Sequence, residues 1–302
     1  MELGLIGLGR MGGNMAQRLV NAGHRVITYD QDINAVTASS GFGGEGAASL
    51  EDVVSRLTIP RALWIMVPAG QPTEDIIDEL ALLLSSGDVI LDGGNANYKD
   101  SMRRGGKLGA QGIDFIDVGT SGGIWGLTEG YSLMVGGDET AITRLEPIFH
   151  ALAPAPDKGY SRVGPIGAGH FTKMVHNGVE YGLMQAYAEG FELLAAKEEF
   201  NFDLPAIAQT WSHGSVVRSW LLDLAADALR EDPELESLES YVEDSGEGRW
   251  TVQESVDLAV PIPVITMSLQ ARFRSRQNQP FGGRLLAALR NQFGGHTVRK
   301  PG

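Results

Sequence analysis

Short apolar runs alternate with amphipathic stretches through the first half of the chain. The strand-like runs fall at 3–7, 25–29, 62–67, 89–92, 113–118 and 132–135, and helical periodicity falls at 11–22, 33–39, 74–84 and 99–110. Strands and helices alternating in this way predict an α/β, doubly wound, mostly parallel sheet. After Gly164-Pro165-Ile166-Gly167 the strand signals fade. Helical segments follow at 168–198, 204–230, 250–278 and 281–293, interrupted by the acidic, glycine-bearing stretch 231–248. The pattern thus predicts an α/β domain over 1–164 and an all-helical domain over 165–302. With no 20–50-residue repeat and no low-complexity linker, the two are expected to pack together.

A length of 302 residues is enough for two domains with separate cores. Lys and Arg number 24 against 38 Asp and Glu, a net charge of −14 with a pI near 4.8, which argues against a nucleic-acid partner. The longest uncharged stretches, 204–217 and 258–271, run 14 residues and contain proline. A membrane span needs about 18 or more, so no membrane partner is expected. Glu2 is followed at once by the strand-like Leu3-Gly4-Leu5-Ile6, leaving no room for a signal peptide, so the chain reads as soluble and untargeted. The absence of cysteine excludes disulfides, thiol nucleophiles and Cys-bound metals. The six histidines form no His-x-x-x-His pair, so no metal site is expected.

Gly7-Leu8-Gly9-Arg10-Met11-Gly12 is a G-x-G-x-x-G that follows a strand and opens a helix. In that context the glycines allow a tight turn and close approach of a pyrophosphate, while the helix N-terminal amides face the anion. Asp30 ends the second strand 18 residues after Gly12. The spacing suits a carboxylate holding ribose hydroxyls, expected about 20 residues on. The alternative is a merely tight strand-to-helix turn, against which the register of strand, helix and Asp30 weighs. Asp30 also repels the extra phosphate of NADP, and Gln31 and Asp32 add no cation, so charge favours NAD. The N-terminal domain therefore reads as Rossmann-type. Val67-Pro68-Ala69-Gly70 and Asp92-Gly93-Gly94-Asn95 end two more strands, where an open α/β sheet places its ligand loops, and both also fit plain loops.

In Lys173-Met174-Val175-His176-Asn177-Gly178-Val179-Glu180-Tyr181, helical geometry puts Lys173, His176, Asn177 and Glu180 within an arc of about 100°. One face then carries an amine, an imidazole, an amide and a carboxylate; a solvated polar face with a Lys–Glu pair is the alternative. Gly178, Gly182, Ala186 and Gly190 recur every four residues, which predicts close approach of another backbone and a partly buried stripe. Gly119-Thr120-Ser121-Gly122-Gly123-Ile124-Trp125-Gly126-Leu127 follows the strand at 113–118. It either presents backbone amides to a carboxylate or is a flexible loop.

Taken in order, 7–12, 92–95, 119–123 and 173–181 resemble the 6-phosphogluconate dehydrogenase family, the decarboxylating members of the β-hydroxyacid dehydrogenase superfamily. The resemblance covers nearly the whole chain. Its most specific part is 173–181, because the wider superfamily shares a Lys and an Asn on this helix but generally lacks the Glu-Tyr. The short length and Asp30 resemble the short, NAD-preferring branch. Gly294-Gly295-His296, with Arg290 six residues earlier, looks like the family's C-terminal tail that reaches into a partner's site.

The resemblance implies oxidative decarboxylation of 6-phosphogluconate to ribulose 5-phosphate and CO2 with reduction of NAD, in the cytoplasmic pentose phosphate pathway and gluconate utilisation. Neutral Lys173 would take the C3 hydroxyl proton as hydride leaves for nicotinamide, its ammonium would polarise the ketone, and Glu180 would protonate the enediol at C1. Lys173 must then titrate below its reference of about 10.4, which burial or a nearby cation achieves. By the same resemblance Ser121, Gly122 and Gly123 hold the substrate carboxylate, and Asn95, His176, Asn177 and Tyr181 the hydroxyls or phosphate. Arg272, Arg290 and His296 match the remaining substrate positions, the last two donated by another subunit of a homodimer or homotetramer. Gly7, Leu8, Gly9, Arg10, Met11, Gly12, Asp30, Val67, Pro68, Ala69 and Asn95 hold the cofactor, and no metal is required. The helical domain then serves substrate binding and dimerisation.

One stretch departs from the pattern. Longer members carry Lys-Gly-Thr-Gly-Lys-Trp-Thr, whose Lys and Thr contact the phosphate, and the matching residues here are Ser245-Gly246-Glu247-Gly248-Arg249-Trp250-Thr251. Glu247 must turn away or be offset by Arg249, Arg272 and Arg290. Two rivals remain: a non-decarboxylating β-hydroxyacid dehydrogenase acting on a small unphosphorylated acid, which Glu247 would tolerate, and a catalytically silent NAD-sensing protein, against which Lys173 and Glu180 together weigh.

Overall fold

The computed structural model describes residues 1–299, and its first half is built on one eight-stranded sheet. β1 (Glu2–Ile6), β2 (Arg25–Tyr29), β3 (Glu45–Gly46), β4 (Ala62–Ile65), β5 (Val89–Asp92), β6 (Asp114–Ser121), β7 (Ser132–Gly136) and β8 (Tyr160–Gly164) lie in the order β3-β2-β1-β4-β5-β6-β7-β8. Every pair is parallel except β6 with β7. The order reverses between β1 and β4, the switch point at which such sheets open a crevice at their carboxyl edge.

The helices of this half are α1 (Arg10–Asn21), α2 (Ile33–Ser40), α3 (Leu50–Ser55), α4 (Gln71–Leu83), α5 (Tyr98–Gly109), α6 (Gly126–Glu129) and α7 (Glu139–Leu152). β4 and β5 are buried at every position, as a parallel sheet covered on both faces requires. Successive side chains point to opposite faces, so each strand feeds two cores. Trp64 and Leu91 join Met15 and Leu19 of α1 and Ile148 and Phe149 of α7. Leu63, Ile65 and Ile90 join Val53 of α3, Leu80 of α4 and Leu108 of α5. Asp32, Ser49, Asn97 and Asp138 accept hydrogen bonds from the first-turn amides of the helices they precede, which fixes where those helices start.

α8 (Ala168–Ala195) follows without a break over 28 residues. By its contacts the chain divides into Met1–His176 and the residues from Asn177 onward, so the boundary falls inside this helix. The second unit adds α9 (Leu204–Trp211), α10 (Trp220–Glu231), α11 (Glu247–Asp257), α12 (Pro263–Ser275) and α13 (Phe281–Gly294), and contains no strand among its described residues. Phe191, Ala208, Leu222, Ala226 and Leu229 form its core, with Tyr187 and Trp211 packed against it.

Two of the three long expected helices each divide in two. The span 204–230 breaks at 212–219, where Gly214 takes φ +75°, and 250–278 breaks before Pro263, which sits at the first turn of α12. The four-residue spacing of small residues on α8 is used at two places only. A Cβ at Gly178 would lie 2.8 Å from Thr251 Cγ2 and one at Gly182 would lie 3.3 Å from Val264 Cγ1, whereas Gly190 faces open space and Ala186 is exposed. The close approach is to side chains of α11 and α12, not to another backbone.

Glu74, in the first turn of α4, pairs with Arg103 at 2.6 Å and Arg104 at 2.8 Å. Hydrogen bonding from Arg103 above all, and then from Arg104, pulls its carboxyl from an ordinary 4.5 down to about 2. The folded value lies below the unfolded one, so this contribution to stability is complete above about pH 4.5 and is lost as pH falls toward about 2. Urea unfolding followed from about pH 6 down to about pH 3 should therefore show a shallower loss of stability for Glu74→Gln than for the parent; parallel curves would contradict this.

Candidate active site

The carboxyl ends of β1, β4 and β5 converge on one cleft of about 320 Å³, lined by Gly9, Arg10, Met11 and Gly12, by Met66, Val67 and Pro68, and by Gly93, Gly94 and Asn95. Gly7 turns the chain out of β1 at φ +93°, and a Cβ there would lie 2.6 Å from the Met66 carbonyl oxygen, so both conformation and space require glycine. A Cβ at Gly12 would lie 2.0 Å from the Gly7 carbonyl, whereas the same position at Gly9 is open. No side chain caps α1, whose N-terminal amides begin at this turn. Asp30 Oδ2 accepts the Leu8 amide at 2.6 Å and Oδ1 accepts the Asp32 amide at 2.8 Å, which fixes a carboxylate beside the turn. Leu8 itself is buried and offers no side chain to the cleft, and Ala69 lies outside its lining. Exposed amides at a helix start with a carboxylate at the neighbouring strand end fit a dinucleotide's pyrophosphate and ribose.

Beyond the cleft, Asn95 adopts φ +53° and turns its carboxamide onto the main chain of β6. Its Nδ2 donates to the Thr120 carbonyl at 3.0 Å, and its Oδ1 accepts the Thr120 amide at 2.9 Å. β6 accordingly runs on to Ser121, three residues past the expected end of the strand. Gly122 and Gly123 follow at φ +131° and +54° and turn the chain sharply, so this segment is a built turn leading into a short helical turn at Gly123–Trp125.

α8 starts against the same strand end. The buried Asp117 accepts the amides of Gly167 at 2.6 Å and His170 at 2.7 Å, pinning the first turn of the helix. Burial pushes the Asp117 carboxyl up, opposed by His170 and these amides. A Cβ at Gly119 would lie 2.5 Å from Lys173 Cβ and 2.6 Å from the Gly169 carbonyl oxygen. Lys173, 5% exposed, is thereby seated against β6 one residue before Thr120. His170 Nδ1 lies 2.7 Å from Ser101 Oγ, tying α8 to α5.

In the second unit Tyr181 is the centre of a separate group. The Arg272 guanidinium stacks 3.5 Å from its ring centroid and donates to the Glu243 carbonyl at 2.8 Å. The Tyr181 hydroxyl accepts the Ser245 amide at 3.0 Å, and a Cβ at Gly248 would lie 2.5 Å from the ring. Glu247 is buried beside Ser245, whose hydroxyl lies 3.4 Å from it. Arg249 pairs with Asp244 at 2.7 Å, and this pairing holds the Asp244 carboxyl below the usual range. His176, Asn177 and Glu180 are half-buried on α8. Arg290 lies on α13, none of whose residues is buried, and His296 follows it, exposed.

Sequence reasoning missed Asp117, Thr120, Ser245 and the buried Arg104. Only Asp117 had a visible signal, an acidic residue inside the apolar alternation of a strand. Thr120 and Ser245 work through main-chain contacts, and Arg104 through carboxylates 12 and 30 residues away in sequence, which no pattern encodes.

The fold and cleft define an NAD(P)-binding oxidoreductase built of a Rossmann domain and a helical domain. Residues 2–164 match the NAD binding domain of 6-phosphogluconate dehydrogenase, and 169–281 match the 6-phosphogluconate dehydrogenase C-terminal domain. The chain belongs to the 6-phosphogluconate dehydrogenase family. It is 46% identical over 301 residues, 99% of either chain, to the NAD(+)-dependent, decarboxylating 6-phosphogluconate dehydrogenase of Haloferax volcanii. It is 44% identical over 300 residues to a Bacillus subtilis protein provisionally named 6-phosphogluconate dehydrogenase YqeC, covering 99% of this chain and 100% of that one. Among solved structures, Plasmodium falciparum 6-phosphogluconate dehydrogenase superposes with a TM-score of 0.84 at 25% identity, over 100% of this chain and 66% of that one.

Because Asp117 satisfies two buried amides, Asp117→Ala should lower unfolding free energy by about 2–4 kcal/mol in urea titration. Turnover should fall further than the folded fraction does, since the same bonds set the position of Lys173.

Proposed function

We propose that the protein oxidises and decarboxylates 6-phosphogluconate to ribulose 5-phosphate and CO2, with NAD preferred over NADP. The observation that carries this reading is α8, which bears Lys173, His176, Asn177, Glu180 and Tyr181 in the order of the family's active helix, with Lys173 buried against the carboxyl end of β6. The name of the Haloferax relative supports both the decarboxylation and the cofactor. Asp30, fixed beside the glycine turn, supports NAD because it repels a 2′-phosphate.

NAD, when bound, supplies the acceptor for the C3 hydride. Lys173 Nζ takes the C3 hydroxyl proton as the hydride leaves, and then holds the new ketone oxygen as an ammonium. As the C1 carboxylate departs as CO2, its bonding pair passes into an enediol whose C3 oxygen takes the proton from the Lys173 ammonium. Glu180 then gives a proton to C2, which becomes C1 of ribulose 5-phosphate, and Lys173 takes the C3 hydroxyl proton back. Ser121, Gly122 and Gly123 hold the carboxylate, which the sharp turn after β6 supports. Asn177 and His176 hold hydroxyls, and Tyr181 and Arg272, stacked together, hold the phosphate.

Glu247 favours one other reading, a dehydrogenase of a small unphosphorylated 3-hydroxy acid, since a carboxylate stands where longer relatives place a phosphate ligand. NADH production and CO2 release with 6-phosphogluconate, gluconate and 3-hydroxyisobutyrate separate the two. The expected result is CO2 release with 6-phosphogluconate and a higher kcat/KM with NAD than with NADP. Lys173→Met should abolish turnover while NADH still binds, and Glu180→Gln should lower kcat by about 10²–10⁴-fold. An effect of Glu180→Gln on KM alone would reassign it to binding.

The exposed Leu285, Leu286, Leu289 and Phe293 of α13 support a homo-oligomer whose tails donate Arg290 and His296 to a neighbouring subunit. Arg290→Ala and Lys173→Met proteins, each inactive alone, should recover turnover when mixed under subunit exchange. No recovery despite demonstrated exchange would refute the shared site.

A further inference from the structure

Arg104, on α5, is 1% exposed, and the proposed chemistry gives it no part. Its Nη1 lies 3.1 Å from Asp92 Oδ2, its Nε 2.8 Å from Glu74 Oε2, and its Nη2 donates to the Gly70 carbonyl at 3.4 Å. These acceptors belong to two different walls of the cleft. Gly70 ends the loop after β4, Glu74 lies in the first turn of the helix that follows, and Asp92 opens the loop after β5. Asp92 is fully buried and its Oδ1 accepts the Gly94 amide at 3.0 Å. A Cβ at Gly94 would lie 2.6 Å from the Val67 carbonyl oxygen, so the two loops meet main chain to main chain at the point that Arg104 bridges with side-chain contacts. The Thr73 hydroxyl donates to the Pro68 carbonyl at 2.9 Å and anchors the first loop again.

A guanidinium and a carboxylate both removed from water stabilise a fold no better than apolar residues of the same volume. What the guanidinium adds is direction, because its rigid fork holds several acceptors at fixed angles, which a lysine cannot do. In the sheet order β2-β1-β4-β5, Asp30 marks the ribose beside β2 and the glycine turn marks the pyrophosphate after β1. The loops after β4 and β5 therefore border the half of the dinucleotide beyond the pyrophosphate.

We propose that Arg104 is a positioning residue that locks the loops 66–70 and 92–95 together and so shapes the nicotinamide side of the cleft. The proposal rests on reading this cleft as a dinucleotide site, and the experiment separates the two. Dissociation constants for NADH and for ADP, which lacks the nicotinamide riboside, are measured by calorimetry on the parent protein and on Arg104→Met, Arg104→Lys and Glu74→Gln. Arg104→Met should weaken NADH about tenfold while ADP stays within about twofold, Arg104→Lys should fall between it and the parent, and Glu74→Gln should shift the ratio in the same direction. Equal weakening of both ligands, or an unchanged NADH constant in a folded variant, would overturn the clamp. If Arg104→Met does not fold, Arg104→Lys and Glu74→Gln decide through the same ratio. A parent protein that binds neither ligand would overturn the dinucleotide reading and the clamp with it.

Discussion

The seating of one helix on the end of one strand is the constraint on which the rest of the structure depends. Asp117 is buried in β6, where its carboxylate has to find donors, and it finds them in the amides of Gly167 and His170 at the start of α8. Those amides are orphans of a helix start and need acceptors in turn. Each group satisfies the other's requirement, and glycine at 119 and 169 removes the side chains that would keep helix and strand apart. The consequence is positional: Lys173, one turn into the helix, is held at the strand's carboxyl end, beside the Thr120 main chain that Asn95 grips from the β5 loop. Asn95 thus serves geometry with its carboxamide, whichever ligand it faces.

Charge would otherwise work against such a site. The chain carries a net −14, and an anionic substrate or dinucleotide meets an unfavourable field at long range. At physiological salt that field is screened beyond about 8 Å, so binding is decided by groups in contact. In the first unit the groups suited to an anion are main-chain amides at the start of α1, and in the second an arginine stacked on a tyrosine, each local rather than part of a broad basic surface.

How much was legible in the sequence follows from which features have a period. β1, β2 and β5 are apolar runs ended by glycine or acid and β4 is one ended by Pro68, and the glycine turn with Asp30 reads directly from spacing. β3 has only two residues, and β8 is mostly exposed, so neither leaves an apolar trace. α9 and α10 run together in a periodic reading because Gly214 is one residue in an otherwise helical stretch, whereas Pro263 was a readable break that helical period alone passed over. Within the site, chemical types on one helix face are visible by arithmetic at 100° per residue. Invisible are the partners that fix them: Thr120 main chain for Asn95, Ser245 amide for Tyr181, and Asp244 for Arg249.

That last pairing changes what Glu247 means. A carboxylate at the position of a phosphate ligand looks contradictory only if its charge points at the ligand. Glu247 is the first residue of α11, and negative charge in a helix's first turn is favoured by the backbone dipole. The Thr251 hydroxyl donates to its carbonyl, and the residue is buried against the stretch that packs on Tyr181. A local helical reason for the acid thus exists that owes nothing to phosphate, and it leaves Arg272, stacked on Tyr181 and oriented by the Glu243 carbonyl, as the cation of this group. Arg249 is paired with Asp244.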